Sequence, residues 1–364
     1  MMARLGDVCN RASSNIAQKD LEGRDGDYPI YGASGYIKHV DFYQQEKPYI
    51  AVVKDGAGIG RVMKLPAKSS VIGTMQYILP NSNVDIGYLA YAMENMNLAK
   101  YFSGATIPHI YFKDYQREEL PLPSIDRQRS IAIVLDKISG LIAKHRLQIE
   151  KLDELVKSRF IELFGDPVTN PYIWPTKPLL DMGYCKNGMN FRAGDDGIEI
   201  HCLGVGDFKD HSVINGTETL PLVSLNELPT DEYMLRDGDI VFVRSNGNKA
   251  LVGRCLVVYP HDVPTTYSGF CIRYRRTGND VTTQYLLRVL KAETMRKQMA
   301  GRGANIQNLN QQILAALNIP IPPLELQEQF ASFVEQTDKS KLAVQKGLQE
   351  LEILKKSLMQ QYFG

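Results

Sequence analysis

The pattern of apolar positions predicts one long helix in the middle of the chain. The segment from Asp126 to Phe164 contains no proline, and Ser124 before it is a residue type that often caps a helix N-terminus. Apolar residues recur there at heptad spacing, interrupted by His145 and Arg159, as is typical of a helix that packs along a narrow seam on another helix. The seam residues are Ile131, Leu135, Ile138, Ile142, Ile149, Leu152, Val156 and Leu163.

A second long helix is predicted at the C-terminal end of the chain, with a seam interrupted by Thr337, Lys341 and Lys355. Its members are Phe330, Val334, Val344, Leu348, Leu351, Leu358 and Tyr362. Because each seam needs a partner, we expect the two helices to pack on each other, and the domain between them lets them run antiparallel. The alternative is that each helix packs separately on its own domain. A helix of some 38 residues is roughly 55 Å long, at about 1.5 Å per residue.

The two helices belong to an internal repeat. Gly104-Ala-Thr-Ile107 returns as Gly303-Ala-Asn-Ile306, 199 positions later, and this spacing holds to the end of each helix. Matched pairs include Pro121 and Pro320, Pro123 and Pro322, Gln128 and Gln327, Leu152 and Leu351, and Phe164-Gly165 and Phe363-Gly364. Upstream the match weakens and its offset drifts, which indicates one shared scaffold that carries two different surfaces.

The globular part of each repeat mixes strands and helices. Buried strands are predicted at Tyr49–Val53, Asp239–Arg244 and Phe270–Tyr274, and helices at Gly87–Asn95 and Thr282–Met299. The predicted fold class is α+β, a pseudo-twofold tandem repeat of two mixed α/β domains separated by two long antiparallel coiled-coil helices. The predicted segments are domain 1 at 1–123, helix 1 at 124–165, domain 2 at 166–321 and helix 2 at 322–364.

Composition limits the class of protein. Hydrophobic residues at 44% and charged residues at 23% supply apolar material for two cores. Five cysteines without a C-x-x-C pair predict reduced, packed thiols, and the absence of a signal-like start or a long apolar run predicts a cytoplasmic protein without membrane contact. A net charge of +1 argues against a protein that holds nucleic acid by bulk electrostatics alone.

Motifs for catalysis are missing from the sequence. There is no phosphate-binding P-loop, and the six histidines show no metal-ligand spacing. The glycine cluster from Gly56 to Gly60 is interpreted as a turn between strands. We therefore expect no catalytic residues, no metal and no cofactor on this chain.

Polar side chains that suit nucleic-acid recognition lie at two kinds of position. One is the segment before each long helix, and the other flanks a glycine-bearing turn after a buried strand. Asn, Gln and Arg match base edges in the major groove, and Lys and Arg contact phosphates. The alternative interpretation is that these are turn residues that bond their own backbone. The candidates are Lys54, Arg61, Thr106, His109, Tyr111 and Lys113 in the first repeat and Arg244, Asn246, Asn248, Lys249, Arg254, Arg302, Asn305, Gln307 and Asn308 in the second.

Taken together, these features resemble the specificity (S) subunits of Type I restriction-modification systems, over essentially the whole chain. The resemblance is carried by Leu120-Pro-Leu-Pro123 with Gln128, by Ile319-Pro-Ile-Pro322 with Gln327, by Phe164-Gly-Asp-Pro167 and by Gly238–Arg244. It implies two target-recognition domains, each of which reads one half of a split DNA sequence, and two helices that set the spacing. It also implies partners: two methyltransferase (M) subunits that carry S-adenosylmethionine, and restriction (R) subunits that use ATP and Mg.

Two other functions remain open from the sequence. The chain could be a coiled-coil scaffold whose domains bind protein or carbohydrate, in which case it would not shift duplex DNA. It could also be a stand-alone methyltransferase or nuclease, which assays with S-adenosylmethionine or magnesium would reveal. If the chain is instead a specificity subunit, we expect the isolated chain to bind double-stranded DNA weakly and to bind it tightly with M subunits.

Overall fold

A computed structural model describes residues 1–104, 108–190, 197–209, 212–300 and 308–364. The chain divides into two compact units, unit 1 comprising residues 1–149 and 343–364 and unit 2 comprising residues 150–342. Each long helix contributes its first part to one unit and its last part to the other.

Unit 1 contains a four-stranded sheet in the order β2-β8-β5-β6, a three-stranded sheet in the order β4-β3-β7, and the pair β1-β9. Its elements in chain order are β1 (Met2–Arg4), α1 (Leu5–Val8), β2 (Cys9–Ser13), β3 (Tyr28–Gly32), β4 (Gly35–Val40), β5 (Tyr49–Val53), β6 (Val62–Leu65), β7 (Ser70–Val71), β8 (Met75–Pro80), α2 (Ile86–Asn95), α3 (Phe112–Tyr115), β9 (Glu119–Pro121) and the start of α4 (Ile125–Phe164).

Unit 2 contains a five-stranded sheet in the order β11-β18-β15-β16-β13, a three-stranded sheet in the order β14-β12-β17, and the pair β10-β19. Its elements are β10 (Thr176–Pro178), β11 (Gly183–Asn187), β12 (Ile198–Leu203), β13 (Val213–Asn215), β14 (Leu222–Leu225), β15 (Asp239–Val243), β16 (Cys255–Tyr259), β17 (Thr265–Tyr267), β18 (Cys271–Arg276), α5 (Thr283–Lys291), α6 (Glu293–Ala300), α7 (Gln311–Ala315), β19 (Asn318–Pro320) and the start of α8 (Leu324–Phe363).

Helix pairing is antiparallel in both units. In unit 1, Arg146 of α4 donates to the Glu352 carboxylate of α8 at 2.6 Å, while Arg127, earlier in α4, lies over the ring of Tyr362, later in α8. In unit 2, Lys341 of α8 bonds the Asp153 carboxylate of α4 at 2.6 and 2.7 Å. Thus lysines that interrupt the apolar seam form ion pairs, and Lys355 likewise bonds Glu94 of α2 at 3.1 Å.

The predicted seam residues lie inward. Leu135, Ile138, Ile142, Val156 and Val334 are buried. The half-buried members are Ile149, Leu152, Val344, Leu348, Leu351 and Leu358. The helices also bury a second face on the domain, through Met359 in unit 1 and Phe160 in unit 2, residues outside the predicted seam. The alternative of two unpaired helices is therefore wrong.

The same junction is built twice. The Tyr88 ring contacts Phe363, and its hydroxyl donates to the Pro121 carbonyl at 2.7 Å. In unit 2, Tyr285 contacts Phe164 and donates to the Pro320 carbonyl at 3.0 Å. The end of each long helix is thereby packed on the domain of the unit in which it ends, together with the start of the other helix.

A buried glutamine fixes the start of each long helix. The amide oxygen of Gln128 accepts from the Asp85 N–H at 2.8 Å, and that of Gln327 accepts from the Thr282 N–H at 2.8 Å. Asp85 and Thr282 are the N-cap residues of α2 and α5, so each glutamine joins two helix N-termini. Each amide nitrogen donates to two backbone carbonyls.

Two predicted elements are confirmed only in part. The helix predicted at Thr282–Met299 is two helices, because Ala292 between them has an extended ψ of 139°. The turn lets the Thr294 hydroxyl donate to Asp166 at 2.6 Å and directs Met295 into the core. Phe270, predicted within a buried strand, is 59% exposed and precedes β18.

No helix in the described ranges carries an apolar stretch of the length a membrane crossing needs. Across the same ranges, His, Cys, Asp and Glu side chains do not gather in threes as a metal site would require.

Candidate nucleic-acid interface

The candidate interface of unit 1 forms where β5 ends. The five residues of β5 are buried, and the chain leaves the sheet at Lys54. The Lys54 carbonyl accepts from the Ile110 N–H at 2.9 Å, and Gly56 N–H donates to the Pro108 carbonyl at 3.0 Å. These bonds hold the segment before α3 beside the strand end. Two groups of predicted residues that are far apart in the sequence thus lie together.

Side chains at this strand end form a mixed cluster. The His109 Nδ1 is hydrogen bonded to the Asp55 carboxylate, which also pairs with the Lys54 ammonium at 3.4 Å. Burial, with a smaller contribution from the Lys54 charge, lowers the pKa of His109, which favours the neutral imidazole. The Tyr111 ring is 48% exposed, 4.1 Å from the His109 ring, and Lys113 lies over it at 5.2 Å. The cluster offers an aromatic face and two cations.

Arg61 lies at the far end of the glycine turn, after Gly56, Gly58 and Gly60, which all have positive φ. Its side chain is exposed, and its Nη1 donates to the Ala33 carbonyl at 2.8 Å. The turn between β5 and β6 is therefore as predicted, and part of the Arg61 guanidinium supports a neighbouring loop.

An open cleft of about 530 Å³ adjoins the cluster of unit 1. Its polar and charged lining residues are Arg11, Ser13, Lys54, Gln76, His109, Tyr111, Lys113 and Gln116. Arg11 is exposed on β2, opposite Ile78 of β8, and sequence reasoning did not select it. Its strand is short and lacks the glycine turn that drew attention to Lys54 and Arg61, so only the sheet order brings Arg11 to the site.

Unit 2 builds the equivalent strand end from β15. The Arg244 carbonyl accepts from the Leu309 N–H at 2.8 Å, which matches the bond between Lys54 and Ile110. Asn308 is exposed beside the buried Leu309. Arg244 is further fixed by its N–H, which donates to the Phe270 carbonyl at 2.7 Å. The exposed Phe270 ring is a second residue that sequence reasoning missed, because its apolar neighbours suggested a buried strand.

The two asparagines after β15 build the turn. The Asn246 side-chain oxygen accepts from the Asn248 N–H at 2.7 Å, and the Asn248 oxygen accepts from the Ala250 N–H at 3.1 Å. Asn248 is the N-cap of the short 3-10 helix Lys249–Leu251, and Lys249 is exposed. The alternative interpretation therefore holds for these two oxygens. Base contact by the asparagines remains a prediction, with their amide nitrogens as the donors.

Arg254 closes this hairpin, since the Val243 N–H donates to its carbonyl at 2.9 Å. Its half-buried side chain lines a pocket with other cations on the helix side of the strand. Four predicted residues, Thr106, Arg302, Asn305 and Gln307, lie outside the described residues.

The fold and these strand ends define a two-unit protein that carries the same polar loop arrangement twice, with different side chains in each unit. The family model for the type I restriction modification DNA specificity domain matches residues 1–153 and 210–353, and the chain belongs to this family.

Two curated relatives are similar over most of the chain. The type I restriction enzyme StySPI specificity subunit of Salmonella potsdam is 24% identical over 306 residues, which cover 78% of this chain and 65% of that protein. The type I restriction enzyme MjaVIII specificity subunit of Methanocaldococcus jannaschii is 24% identical over 341 residues, 85% of this chain and 77% of that protein. The match thus leaves about a third of the Salmonella protein's length unmatched.

Solved structures have the same fold. The S subunit of a type I restriction-modification system from M. genitalium has a TM-score of 0.64 at 16% identity, and the match covers 100% of this chain and 96% of that one. A chain from a structure described as the basis of complex assembly and conformational transition of the type I R-M system has a TM-score of 0.56 at 14% identity, with coverage of 100% and 97%.

Proposed function

We propose that this chain is the DNA sequence-specificity subunit of a type I restriction-modification complex. The observation that carries the proposal is the strand end built twice, by the Lys54–Ile110 bond in unit 1 and the Arg244–Leu309 bond in unit 2. The same backbone frame presents His109 and Tyr111 in one unit and Asn308 in the other. Two different polar surfaces on one frame suit two different half-sites of a split DNA target.

The two long helices set the spacing between half-sites in this proposal. Each has 40 residues, which corresponds to roughly 60 Å at about 1.5 Å per residue. The partners are M subunits, which bring S-adenosylmethionine and dock on the helices and domains, and R subunits, which bring ATP and Mg. This chain supplies recognition and no catalytic group, and it acts in the cytoplasm, where the target DNA lies.

Methylation mapping tests the function. The chain is expressed with its M subunits, and methylated adenines are mapped across a genome, first with the natural chain and then with the globular part of unit 2 exchanged for that of a relative. We expect a split motif in which the exchange alters one half only. A contiguous motif, or a change in both halves, would contradict the proposal.

A binding assay distinguishes the scaffold alternative. At one fixed salt concentration, we expect weak binding of duplex DNA by the isolated chain and tighter, specific binding when M subunits are present, because the net charge of +1 leaves much of the electrostatic attraction to the partners. Equal affinity for DNA with and without M subunits would refute the expectation that the M subunits supply part of the electrostatic attraction. Binding of protein or carbohydrate that is independent of salt, without any shift of DNA, would favour the scaffold.

A further inference from the structure

A cationic pocket lies on the helix side of the β15–β16 hairpin in unit 2. Its volume is about 280 Å³. Its lining contains four cations, Lys209, Arg254, Lys291 and Arg296, together with the Ser212 hydroxyl, and the described lining residues include no carboxylate. Four positive charges around one small concave space repel one another, so an anion that neutralises them is favoured there.

Two of the cations, Lys291 and Arg296, are held in place by hydrogen bonds. The Lys291 ammonium donates to the Ser212 hydroxyl at 2.5 Å, and Arg296 donates to the Ala250 and Val252 carbonyls at 3.4 and 3.3 Å. Burial is the main cause that lowers the pKa of Lys291, and the charges of Arg288 and Arg254 add to it, while Asp153 acts in the opposite direction. An anion beside Lys291 would restore its affinity for a proton.

In unit 1 the backbone of another segment packs against the corresponding turn. Gly60 is the counterpart of Gly253, because its N–H donates to the Val53 carbonyl as the Gly253 N–H does to the Val243 carbonyl. The Ala99 nitrogen lies only 2.5 Å from where a Cβ on Gly60 would stand. The position of Lys291 is taken in unit 1 by Glu94, which pairs with Lys355. The shared hairpin therefore carries Arg254 in unit 2 beside Lys291, a cation at the position where unit 1 has a carboxylate.

The pocket adjoins the candidate interface through the hairpin itself. The Gly253 N–H donates to the Val243 carbonyl at 2.9 Å, one residue before Arg244, whose carbonyl holds the segment before α7. A group bound beside Arg254 would therefore lie next to the loop that carries Asn246 and Asn248. Phosphate contacts of this kind fix the register of a protein on a duplex without reading sequence.

We propose that this pocket binds a phosphate group, and that in the complex this group is a backbone phosphodiester of the DNA beside the half-site read by unit 2. The second part rests on the proposed function. A second source of the same chemistry is a small phosphate compound, free inorganic phosphate or a nucleotide. Arginine supplies a forked donor and lysine a point charge, which together suit a phosphate oxyanion.

The test uses the complex of this chain with its M subunits and duplex DNA that carries the mapped target. Lys209→Gln and Arg254→Gln each remove one charge from the pocket. The matched control is Lys297→Gln, which removes the same charge from α6 at a residue that is 73% exposed and paired with Glu293. Dissociation constants are measured at several salt concentrations, and thermal unfolding verifies that each variant folds.

We expect each pocket variant to weaken DNA binding several-fold more than the control, to reduce the slope of log K against log salt by about 0.9 per lost contact, and to leave the methylated sequence unchanged. If a pocket variant fails to fold, Lys209→Glu replaces it, because the Lys209 side chain is exposed. This variant reverses the charge, so we expect it to weaken DNA binding more than Lys209→Gln does.

A second arm measures binding of inorganic phosphate and of ATP to the full chain without DNA. If the pocket variants match the control on DNA but abolish phosphate or ATP binding, the pocket is a phosphate site whose source is the small compound. If they match the control in both arms, the proposal is overturned. If the natural complex shows no specific DNA binding at all, the proposed function is wrong. The measurement with inorganic phosphate and ATP then tests by itself whether the pocket binds a phosphate group.

Discussion

Replacing Gln327 by methionine is expected to destabilise unit 2 strongly, although the two side chains are similar in size. Gln327 is fully buried, and its amide makes three hydrogen bonds, to the Thr282 N–H at 2.8 Å and to the Asp280 and Pro322 carbonyls at 3.1 and 2.9 Å. Methionine fills the space but leaves three backbone groups without their partner.

The magnitude follows from the number of groups. A buried donor or acceptor without a partner costs about 1–3 kcal/mol, so three of them cost roughly 3–9 kcal/mol. For a domain of about 150–250 residues, each kcal/mol lowers the melting temperature by roughly 2–4 °C. The loss should therefore be at least about 6 °C.

The assay combines thermal unfolding with amide hydrogen exchange. The exchange of the Thr282 N–H should accelerate in Gln327→Met, because this is the donor that loses its acceptor. The control is Gln336→Met, at an exposed position on the same helix, which should change neither quantity. A loss below about 1 kcal/mol with unchanged exchange at Thr282 would refute the reasoning. Gln128→Met should repeat the result in unit 1.

Three further predictions follow from burial and charge. Phe330→Ala removes a fully buried ring packed on two other aromatic rings, and the free energy of unfolding should fall by about 3–5 kcal/mol in denaturant titration. Burial raises the pKa of Cys9 to about 12 and that of Cys255 to about 11, so at pH 8 both thiols stay protonated and should react with Ellman's reagent only after unfolding; fast reaction of the native protein would contradict this. Removing the exposed Arg146–Glu352 ion pair should cost less than about 1 kcal/mol in a double-mutant cycle at low salt, with the effect vanishing at 1 M salt.

The sequence predicted the long helices and the strand ends well because both depend on local patterns. A heptad of apolar residues and a run without proline specify α4 and α8, and the glycine turn after Tyr49–Val53 specifies where the chain leaves the sheet. Because the sequence is an internal repeat, the same pattern supported each of these predictions a second time. Which residues contact DNA bases remains a prediction, since loop chemistry alone does not state which side chains reach a groove.

Other features depend on tertiary contacts that no local pattern carries. The break at Ala292 lies within a segment of helical periodicity and follows from contacts of Thr294 and Met295. Phe160 lies off the heptad seam because α4 packs simultaneously on a helix and on the core of unit 2. The cationic pocket is lined by Lys209 and Lys291, which are far apart in the sequence. No periodic pattern in the sequence therefore indicates that the two charges lie together.

Hydrogen bonds explain why the two repeats match well in the long helices and poorly in the globular parts. The residues that recur, Gln128 with Gln327 and Tyr88 with Tyr285, each satisfy buried backbone groups at the junction of helix and domain, where a substitution leaves a group without a partner. The strand ends are joined instead by backbone-to-backbone bonds, which any side chain tolerates. The frame therefore stays the same while Tyr111 and Asn310 differ at equivalent positions, and under the proposed function this freedom is what allows the two units to read different half-sites.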